Sequence, residues 1–438
     1  MRTRDSGLSW LGEIPAHWEI TRLKFIARVQ TGIALGKDYG GQATSEYPYL
    51  RVANVQDGFI DLSEVKTMAV PEQEAASAML RTGDVLMNEG GDADKLGRGA
   101  IWGGSIAPCL HQNHVFALRP ESVSSEWLAT WTGSEFAKAY FETRAKQSTN
   151  LASISSTNLL ELIIAVPPDR EQHAIVARLA RQTDHLDALL ASKQRLLDLL
   201  VEKRKAVIAT AVTRGLDLKV KLRDSGVPWL GEVPAHWRIA GFTKYLKSLV
   251  DYRGRTPEKT TSGMFLVTAR NVRNGTIDYA ASQEFVDPAD AEEIMRRGTP
   301  HLGDLLFTTE APLGQVALVD REDVALAQRI IKLDYAESVL LNPYALWWIQ
   351  SDAFQFQLST FATGSTALGI KGERLHMLRN LIPPVPEQYA IIEHIARETA
   401  KLDAVWAATE RTIALLKERR SALIAAAVTG QLDVEAAA

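Results

Sequence analysis

Residues 171–217 read "EQHAIVARLARQTDHLDALLASKQRLLDLLVEKRKAVIATAVTRGLD", and residues 387–433 read "EQYAIIEHIARETAKLDAVWAATERTIALLKERRSALIAAAVTGQLD". The two stretches align without a gap, and their apolar residues recur at steps of three, four or seven, which places them on one face of an α-helix. Each stretch therefore predicts a helix of about 43 residues, or roughly 65 Å at ~1.5 Å per residue. This length favours a coiled coil over a helix of an ordinary globular core.

The apolar face of each predicted helix needs a partner to cover it. Two like helices in one chain most simply pair with each other, and an antiparallel pair sends the two intervening regions to opposite ends. We expect the helix pair to be held together by apolar side chains, namely Leu186, Leu190, Leu197, Leu200, Leu402, Trp406, Ile413 and Leu416.

A second repeat opens each half of the chain. Residues 5–20 read "DSGLSWLGEIPAHWEI", and residues 224–239 read "DSGVPWLGEVPAHWRI". Weaker matches follow in the same order in both halves: "NVQDGFID" with "NVRNGTID", "TGDVLM" with "LGDLLF", and "VPPDREQ" with "IPPVPEQ". The chain is therefore a framework written twice, and each copy encloses a middle region that has diverged.

The middle regions show short apolar alternations separated by Gly, Asp and Thr, a pattern typical of strands and turns. The predicted fold class is α+β, with two α/β domains related by a pseudo-twofold axis and separated by two long helices that form an antiparallel coiled coil. The expected boundaries are 1–168 for the first domain with its opening repeat, 169–218 for the central helix, 219–384 for the second domain and 385–438 for the distal helix.

The composition is that of an ordinary globular protein, with 46% apolar and 23% charged residues in a chain of 438. There is no run of apolar residues long enough to cross a membrane and no signal-peptide pattern, so we expect a soluble protein of the cytoplasm. The single cysteine, Cys109, has no partner for an internal disulfide, which agrees with a reducing compartment. The net charge of −4 means that a nucleic-acid partner would need a local concentration of basic residues.

The sequence contains no arrangement typical of a catalytic site. "TGIALGKDYGG" at 31–41 is one residue short of a phosphate-binding loop, and Asp38 stands where a magnesium-binding Ser or Thr belongs. "HQNH" at 111–114 lacks a third metal ligand, which favours strand residues facing a groove or the core. "LNPYALWW" has one proline fewer than the amino-methyltransferase signature, and we interpret it as a helix capped by Asn342 with Pro343 at its first position.

Polar, glycine-rich loops occupy matching places in the two halves. Their Arg, Lys, Asn, Gln, Ser and Thr side chains can reach base edges and phosphates, and glycine lets a loop approach DNA closely. In the first half the candidate nucleic-acid contacts are Lys37, Tyr39, Lys95, Arg98, Gln112, Asn113, Arg144, Lys146, Gln147, Ser148 and Thr149. In the second half they are Tyr252, Arg253, Arg255, Thr256, Lys259, Arg270, Asn271, Arg273, Gln328, Arg329, Ser365, Thr366 and Lys371.

Over essentially its whole length the chain resembles the specificity subunit of type I restriction–modification enzymes. The most specific marks are the Pro-Pro…Glu-Gln sequence before each long helix, "DYRGRTP" at 251–257 and "GDVL" at 83–86. The resemblance implies two target-recognition domains, each reading one half of an asymmetric bipartite DNA sequence, with the helices acting as a ruler. The first half departs from the family's usual G-x-T-P loop, because it reads "TGIALGKDYGG" there.

The resemblance also implies partners. Methyltransferase (modification) subunits would dock on the helices, and translocase–nuclease (restriction) subunits would join them. S-adenosylmethionine, ATP and magnesium would be used by those partners, while this chain would bind no cofactor or metal and would have no catalytic activity itself.

Three alternatives stay open at the level of sequence. The chain could serve a methylation-only system, or be a coiled-coil scaffold whose end domains bind protein. A scaffold would show no salt-dependent affinity for DNA in the presence of its partners. A methyltransferase fused to its own recognition domains is disfavoured because no cofactor loop is visible.

Overall fold

The computed structural model describes residues 2–91, 96–148, 151–252, 258–364 and 368–432. The chain divides into two units: unit 1 is Met1–Gln194 with Arg411–Ala438, and unit 2 is Arg195–Glu410. Each unit contains one part of each long helix, so unit 1 is built from two segments that are far apart in sequence.

The elements of unit 1 are mostly short strands. The strands are β1 Thr3–Asp5, β2 Glu13–Pro15, β3 Glu19–Arg22, β4 Ala27–Thr31, β5 Ser45–Leu50, β6 Lys66–Val70, β7 Val85–Asn88, β8 Gly90–Gly91, β9 Gly99–Ile101, β10 Leu110–His111, β11 Val115–Pro120, β12 Lys146–Ser148, β13 Leu151–Ser153 and β14 Ile163–Val166. The short helices are α1 Glu72–Ser77, α2 Ser125–Thr132, α3 Glu135–Arg144 and α4 Ser156–Leu160.

The long helix α5, Asp169–Arg214, leads from unit 1 into unit 2. The strands of unit 2 are β15 Leu222–Asp224, β16 Glu232–Pro234, β17 Arg238–Gly241, β18 Leu246–Asp251, β19 Lys259–Thr260, β20 Met264–Val267, β21 Val272–Arg273, β22 Thr276–Ile277, β23 Phe285–Val286, β24 Leu305–Thr308, β25 Val316–Leu318, β26 Val324–Leu326, β27 Ile330–Tyr335 and β28 Arg379–Ile382. Its short helices are α6 Pro288–Met295, α7 Asn342–Gln350 and α8 Asp352–Phe361, and the second long helix, α9, is Val385–Val428.

The two units contain the same central sheet. In unit 1 the strand order is β4-β11-β7-β9, in unit 2 it is β18-β27-β24-β25, and all neighbours are antiparallel. Small sheets also recur, since β3 pairs with β14 as β17 pairs with β28, and β1 pairs with β2 as β15 pairs with β16. The repeated sequence therefore folds into a repeated framework.

The repeated Gly-Asp before the central strands β7 and β24 has a structural reason. The glycine has a left-handed backbone in both copies, and the acid that follows is almost fully buried. Asp84 accepts hydrogen bonds from the Arg119 guanidinium at 2.7 and 2.8 Å, and Asp304 lies 2.8 Å from Nζ of Lys332. A buried carboxylate without a partner would be strongly destabilising, so each central sheet requires this ion pair.

The two long helices predicted from the repeat are present, with 46 residues in α5 and 44 in α9. In unit 1, Asp187 of α5 pairs with Arg420 of α9 at 2.9 Å. In unit 2, Arg204 of α5 pairs with Asp403 of α9. The ends of the helices join the core of the domain in each unit, near residues 175–179 with 427–428 and near residues 208–212 with 391–395. Later residues of α5 thus meet earlier residues of α9, which confirms the predicted antiparallel arrangement within each unit.

The residues predicted to hold the helices together differ in burial. Leu186, Leu197, Leu200 and Leu402 are buried. Leu190, Trp406, Ile413 and Leu416 are half-buried. In unit 2, Leu200, Leu402 and Trp406 line a common cavity.

The opening repeat attaches to the start of one long helix and to the end of the other. In unit 1 the carboxylate of Glu171 lies 2.7 Å from Nε2 of His17 and accepts a hydrogen bond from Nε1 of Trp18 at 3.0 Å. The end of α9 packs on the same segment, because a Cβ added at Gly430 would lie 2.3 Å from Pro15. Only glycine fits at this contact.

Unit 2 repeats this contact between a glutamate at the helix start and the His-Trp pair of the opening repeat, which we call the carboxylate clamp. Glu387 lies 2.7 Å from Nε2 of His236 and accepts a hydrogen bond from Nε1 of Trp237 at 2.9 Å. Gly215, at the end of α5, approaches the same tryptophan, so that an added Cβ would lie 3.1 Å from the indole. In each unit the opening repeat therefore connects the domain to both long helices.

The glutamine beside each clamp acid closes the joint from the other side. Gln172 is buried; its amide accepts a hydrogen bond from the backbone of Ser124 and donates one to the carbonyl of Pro167, both at 2.9 Å. Gln388 makes the equivalent contacts with Leu341 and Pro383 at 2.8 Å. The repeated Glu-Gln pair thus binds the helix start to the domain on two sides.

The interpretation of Asn342 as a helix cap is wrong. Helix α7 begins at Asn342, and Leu341 occupies the cap position without a side-chain hydrogen bond. The Asn342 side chain instead accepts a hydrogen bond from the backbone of Tyr335 and donates one to the carbonyl of Gly303, both at 3.0 Å. The amide therefore ties the helix to the central sheet.

Replacing Glu171 with alanine should lower the free energy of unfolding by about 1–3 kcal/mol, because the partly buried indole N–H of Trp18 loses its acceptor. Urea denaturation followed by tryptophan fluorescence measures this. Asp198→Ala, at an exposed acid on the same helix, is the control and should change stability by no more than about 0.5 kcal/mol. Equal losses in the two variants would contradict the clamp.

Candidate nucleic-acid interface

In unit 1 the candidate loops lie at one end of the central sheet, where β4 and β7 end and β11 begins. Backbone hydrogen bonds join them: Ile33 donates to His111 at 2.9 Å, Glu89 donates to His114 at 2.9 Å, and Ile154 donates to Glu89 at 3.0 Å. The structure therefore brings together loops that are more than a hundred residues apart in sequence.

Lys37 and Tyr39 belong to the loop after β4. Nζ of Lys37 lies 2.8 Å from Oε1 of Glu74, and this hydrogen bond raises the pKa of the lysine. The same Nζ lies 5.4 Å from the centre of the Tyr39 ring. The lysine is half exposed, so a phosphate would compete with Glu74 for it.

Arg98, Gln112 and Asn113 are half-buried at the same end of the sheet. Oε1 of Gln112 accepts a weak hydrogen bond from the backbone of Val52 at 3.4 Å.

The two histidines of "HQNH" are separated by the fold. His111 is fully buried, its Nδ1 lies 2.7 Å from the carbonyl of Val115, and burial lowers the pKa of its imidazole. His114 is exposed and lies 2.7 Å from the carboxylate of Glu89. Across the described residues, no group of three or more His, Cys, Asp or Glu is placed to hold a metal ion.

The remaining candidates of unit 1 follow α3. Arg144 is exposed with its guanidinium 5.6 Å from the ring centre of Tyr140, and Lys146 is exposed. Two further candidates, Lys95 and Thr149, lie outside the described residues, as do the side chains of Gln147 and Ser148.

In unit 2 the corresponding loops lie at the same end of the corresponding sheet, after β18 and β24 and before β27. There they form a groove of about 260 Å³. Four candidate residues line it together: Lys259, Arg270, Gln328 and Arg329. The structure thus brings together residues from three separate parts of the unit 2 sequence.

Arg329 has an unusual backbone. Its φ is 78°, in the left-handed region that a residue other than glycine seldom adopts. Its carbonyl accepts two hydrogen bonds from buried Thr309, one from the backbone at 2.9 Å and one from the hydroxyl at 3.2 Å. Strained backbone of this kind clusters at functional sites, where surrounding contacts hold it in place.

Two candidates of unit 2 have structural roles instead. Asn271 is fully buried, and its amide makes four hydrogen bonds that close the turn of "NVRNGTID". Asn54 builds the matching turn in unit 1 with three such bonds. Tyr252 is buried, its hydroxyl donates to the carbonyl of Gly298 at 2.5 Å, and burial raises its pKa. The amide of Asn271 is fully used within the fold, and the hydroxyl of Tyr252 is committed to a backbone contact in a buried position.

The other candidates of unit 2 are exposed or outside the described residues. Arg273 lies 3.9 Å from Asp278, and Lys371 lies 4.0 Å from Glu373, both on the surface. Arg253, Arg255, Thr256, Ser365 and Thr366 lie outside the described residues.

Two acids that no sequence pattern indicates lie beside cations of the groove. Glu284 lines it and lies 2.8 Å from Nζ of Lys259. Glu310 lies 3.7 Å from Nε of Arg329. No spacing or repeat in the sequence distinguishes these acids from other surface carboxylates, so only the fold reveals them.

Comparison with known proteins gives a consistent result, although no family model matches the chain. Over 402 residues the chain is 23% identical to the putative type I restriction enzyme MjaX specificity subunit of Methanocaldococcus jannaschii, a match that covers 88% of this chain and 87% of that protein. It is 21% identical over 304 residues to the type I restriction enzyme EcoBI specificity subunit of Escherichia coli, covering 66% and 62%.

A solved structure has the same fold. A chain from a type I restriction–modification system, studied for its complex assembly and conformational transition, matches with a TM-score of 0.71 and 15% identity, over 96% of this chain and 99% of that chain. None of the helices formed by the described residues is long and apolar enough to cross a membrane.

Asn271→Ala should lower the free energy of unfolding by about 1–3 kcal/mol, because the buried backbone groups it satisfies lose their partner. Thermal or urea unfolding measures the change. Arg270→Ala, one residue away and exposed, is the matched control and should leave stability within about 0.5 kcal/mol. Unchanged stability in Asn271→Ala would return this residue to the set of DNA-contact candidates.

Proposed function

Because the chain is a specificity subunit of the type I restriction–modification family, we propose that its two domains read the two halves of an asymmetric, bipartite DNA sequence. The chain is the recognition and assembly subunit, and catalysis belongs to its partners. The chemistry of its loops fits this role, since they present donors for base edges and phosphates.

One observation supports this proposal above the others: the same end of the same central sheet carries unlike loops in the two units. The strand order is identical, and the turn-forming Asn, the buried Asp and the clamp Glu recur. The loops after β4 and after β18 have no sequence in common. A fixed framework with different polar loops is suited to two different recognition tasks.

The proposed domains are residues 1–168 and 219–384 for target recognition, with the helical regions 169–218 and 385–438 as spacer. In unit 1 the proposed DNA contacts are Lys37, Tyr39, Lys95, Arg98, Gln112, Asn113, Arg144, Lys146, Gln147, Ser148 and Thr149. In unit 2 they are Arg253, Arg255, Thr256, Lys259, Arg270, Arg273, Gln328, Arg329, Ser365, Thr366 and Lys371.

The proposed partners are methyltransferase subunits docked on α5 and α9 and translocase–nuclease subunits that join them in the cytoplasm. S-adenosylmethionine, ATP and magnesium belong to those subunits. The exposed charges of the long helices, such as Lys203 and Arg419, are available to these partners rather than to bases.

Exchange of residues 21–165 for the same region of a related subunit should change only one half of the recognised sequence. The two junctions lie in β3 and β14, which pair with each other, so the graft replaces everything beyond one small sheet and spares the clamp. The methylated motif of the assembled methyltransferase, mapped by methylation-sensitive sequencing, reports the result.

The matched control is the exchange of residues 240–381, whose junctions lie in β17 and β28. It should change only the other half. A change of both halves in either hybrid would contradict the two-reader proposal.

Insertion of seven residues into both long helices, after Gln194 and after Glu410, should abolish methylation of the original target. It lengthens each helix by roughly 10 Å at ~1.5 Å per residue, about three base pairs of duplex. The control is four residues inserted after Leu218, an exposed position between α5 and β15. Since both ends of that linker are held within unit 2, methylation should persist. Persistence in the helix variant would show that the helices do not set the spacing.

A further inference from the structure

The groove of unit 2 contains cations that are already paired. Arg329 and Glu310 lie 3.7 Å apart with 48% and 43% of their side chains exposed, and Lys259 lies 2.8 Å from Glu284, which is 19% exposed. A groove made only to hold phosphate would be expected to present cations without carboxylates. These acids oppose the binding of any phosphate that approaches their partners.

The Arg329–Glu310 pair is fixed from behind by buried backbone. Thr309 is 3% exposed and holds the carbonyl of Arg329, and Glu310 is the next residue in the chain. Glu310 also forms a β-bridge with Gly369, and a Cβ added there would lie 3.3 Å from Cγ of Glu310. The backbone of both residues is therefore held in place, and only the charged ends of the two side chains can move to contact another group.

The chemistry of this pair matches one base pair. In the major groove a G·C pair offers two acceptors, N7 and O6 of guanine, followed by the N4 amino donor of cytosine. Arginine donates to both guanine acceptors with its planar fork, and glutamate accepts from the cytosine amino group. An A·T pair places its donor between two acceptors, so the arginine cannot make its two-acceptor contact there.

We propose that Arg329 and Glu310 together read one G·C base pair in the half-sequence recognised by unit 2. The arginine contacts the guanine, and the glutamate contacts the cytosine and disfavours contact between the arginine and phosphate. This inference rests on the proposed function, because it assumes that unit 2 reads DNA. It adds Glu310 to the proposed DNA contacts of unit 2 and specifies the base pair that is recognised.

The experiment uses the full chain assembled with its methyltransferase subunits. The wild-type motif is mapped by methylation-sensitive sequencing, and the exchange of residues 240–381 identifies the half that unit 2 reads. Binding is then measured on duplexes in which each base pair of that half is replaced in turn. The variants are Glu310→Ala, Arg329→Lys, which keeps the charge but loses the fork, and Arg329→Asn, because asparagine tolerates a left-handed backbone.

All three variants should relax the same single position, and that position should be G·C in the wild-type motif. The expected loss is roughly 5- to 150-fold in preference over the other base pairs. Glu310→Ala should also bind random duplex more tightly than wild type. The control is Asp323→Ala, an exposed acid paired with Arg321 in the turn between β25 and β26, and it should leave the motif unchanged.

Three results would overturn the inference: an unchanged motif in the variants, relaxation of different positions by the Glu and Arg variants, or full G·C preference in Arg329→Lys. Thermal unfolding of each variant separates a lost contact from a lost fold, and Arg329→Lys provides a second reading if Arg329→Asn is unstable. If the wild-type complex shows no bipartite motif, the proposed function itself fails. If the motif exists and the variants retain it, only the Arg329–Glu310 inference fails.

Discussion

A carboxylate at the start of each long helix holds the rest of the molecule in register. Glu171 and Glu387 each receive an indole N–H and approach a histidine from the opening repeat, and each stands in the first turn of its helix, where the helix dipole favours negative charge. The tryptophan that donates to Glu171 is itself part of the domain core, since Trp18 packs edge-to-face on Trp127 with ring centres 5.5 Å apart. The helix start and the domain core therefore move together, and a loop on the domain has a defined position relative to the helix.

Four of the polar residues that recur in the two halves are buried and serve the framework. Asn54 and Asn271 close turns, and Asp84 and Asp304 pair with Arg119 and Lys332 in the central sheets. Residues that recur in both halves thus include those that stabilise the framework. The residues that differ between the halves are those on the loops, and recognition must be sought there. Arg329 fits this rule, because the equivalent position in the first half is His114: the carbonyls of both residues accept a backbone hydrogen bond from the residue that follows the central strand, Glu89 in unit 1 and Thr309 in unit 2.

The sequence was sufficient to predict the framework, because the framework is written twice and its helices have a strong period. Helices α5 and α9 begin two residues before the quoted stretches and end three and five residues before those stretches do, as expected for uninterrupted helices between proline and glycine. The candidate site was harder to predict. Composition alone cannot separate Asn271, whose amide is used up within its own turn, from exposed Arg270 beside it.

The acid Glu310 was missed for a related physical reason. Its importance comes from a backbone bridge to Gly369 and from a pairing with Arg329 across loops, and neither leaves a local pattern. Spacing rules detect neighbours along one helix or strand. They do not detect partners that are brought together by the closure of several loops.

The composition of the two units has a consequence for the order of folding. Unit 2 is one uninterrupted stretch, Arg195–Glu410, whereas the core of unit 1 includes Ala427 and Val428 at the end of α9. During synthesis the first domain emerges early but lacks the last helical turns that cover its core until the ribosome has translated the whole of unit 2. The domain made first is thus completed last. In the interval its uncovered core exposes apolar surface to solvent, which favours aggregation of the nascent chain and its binding by chaperones.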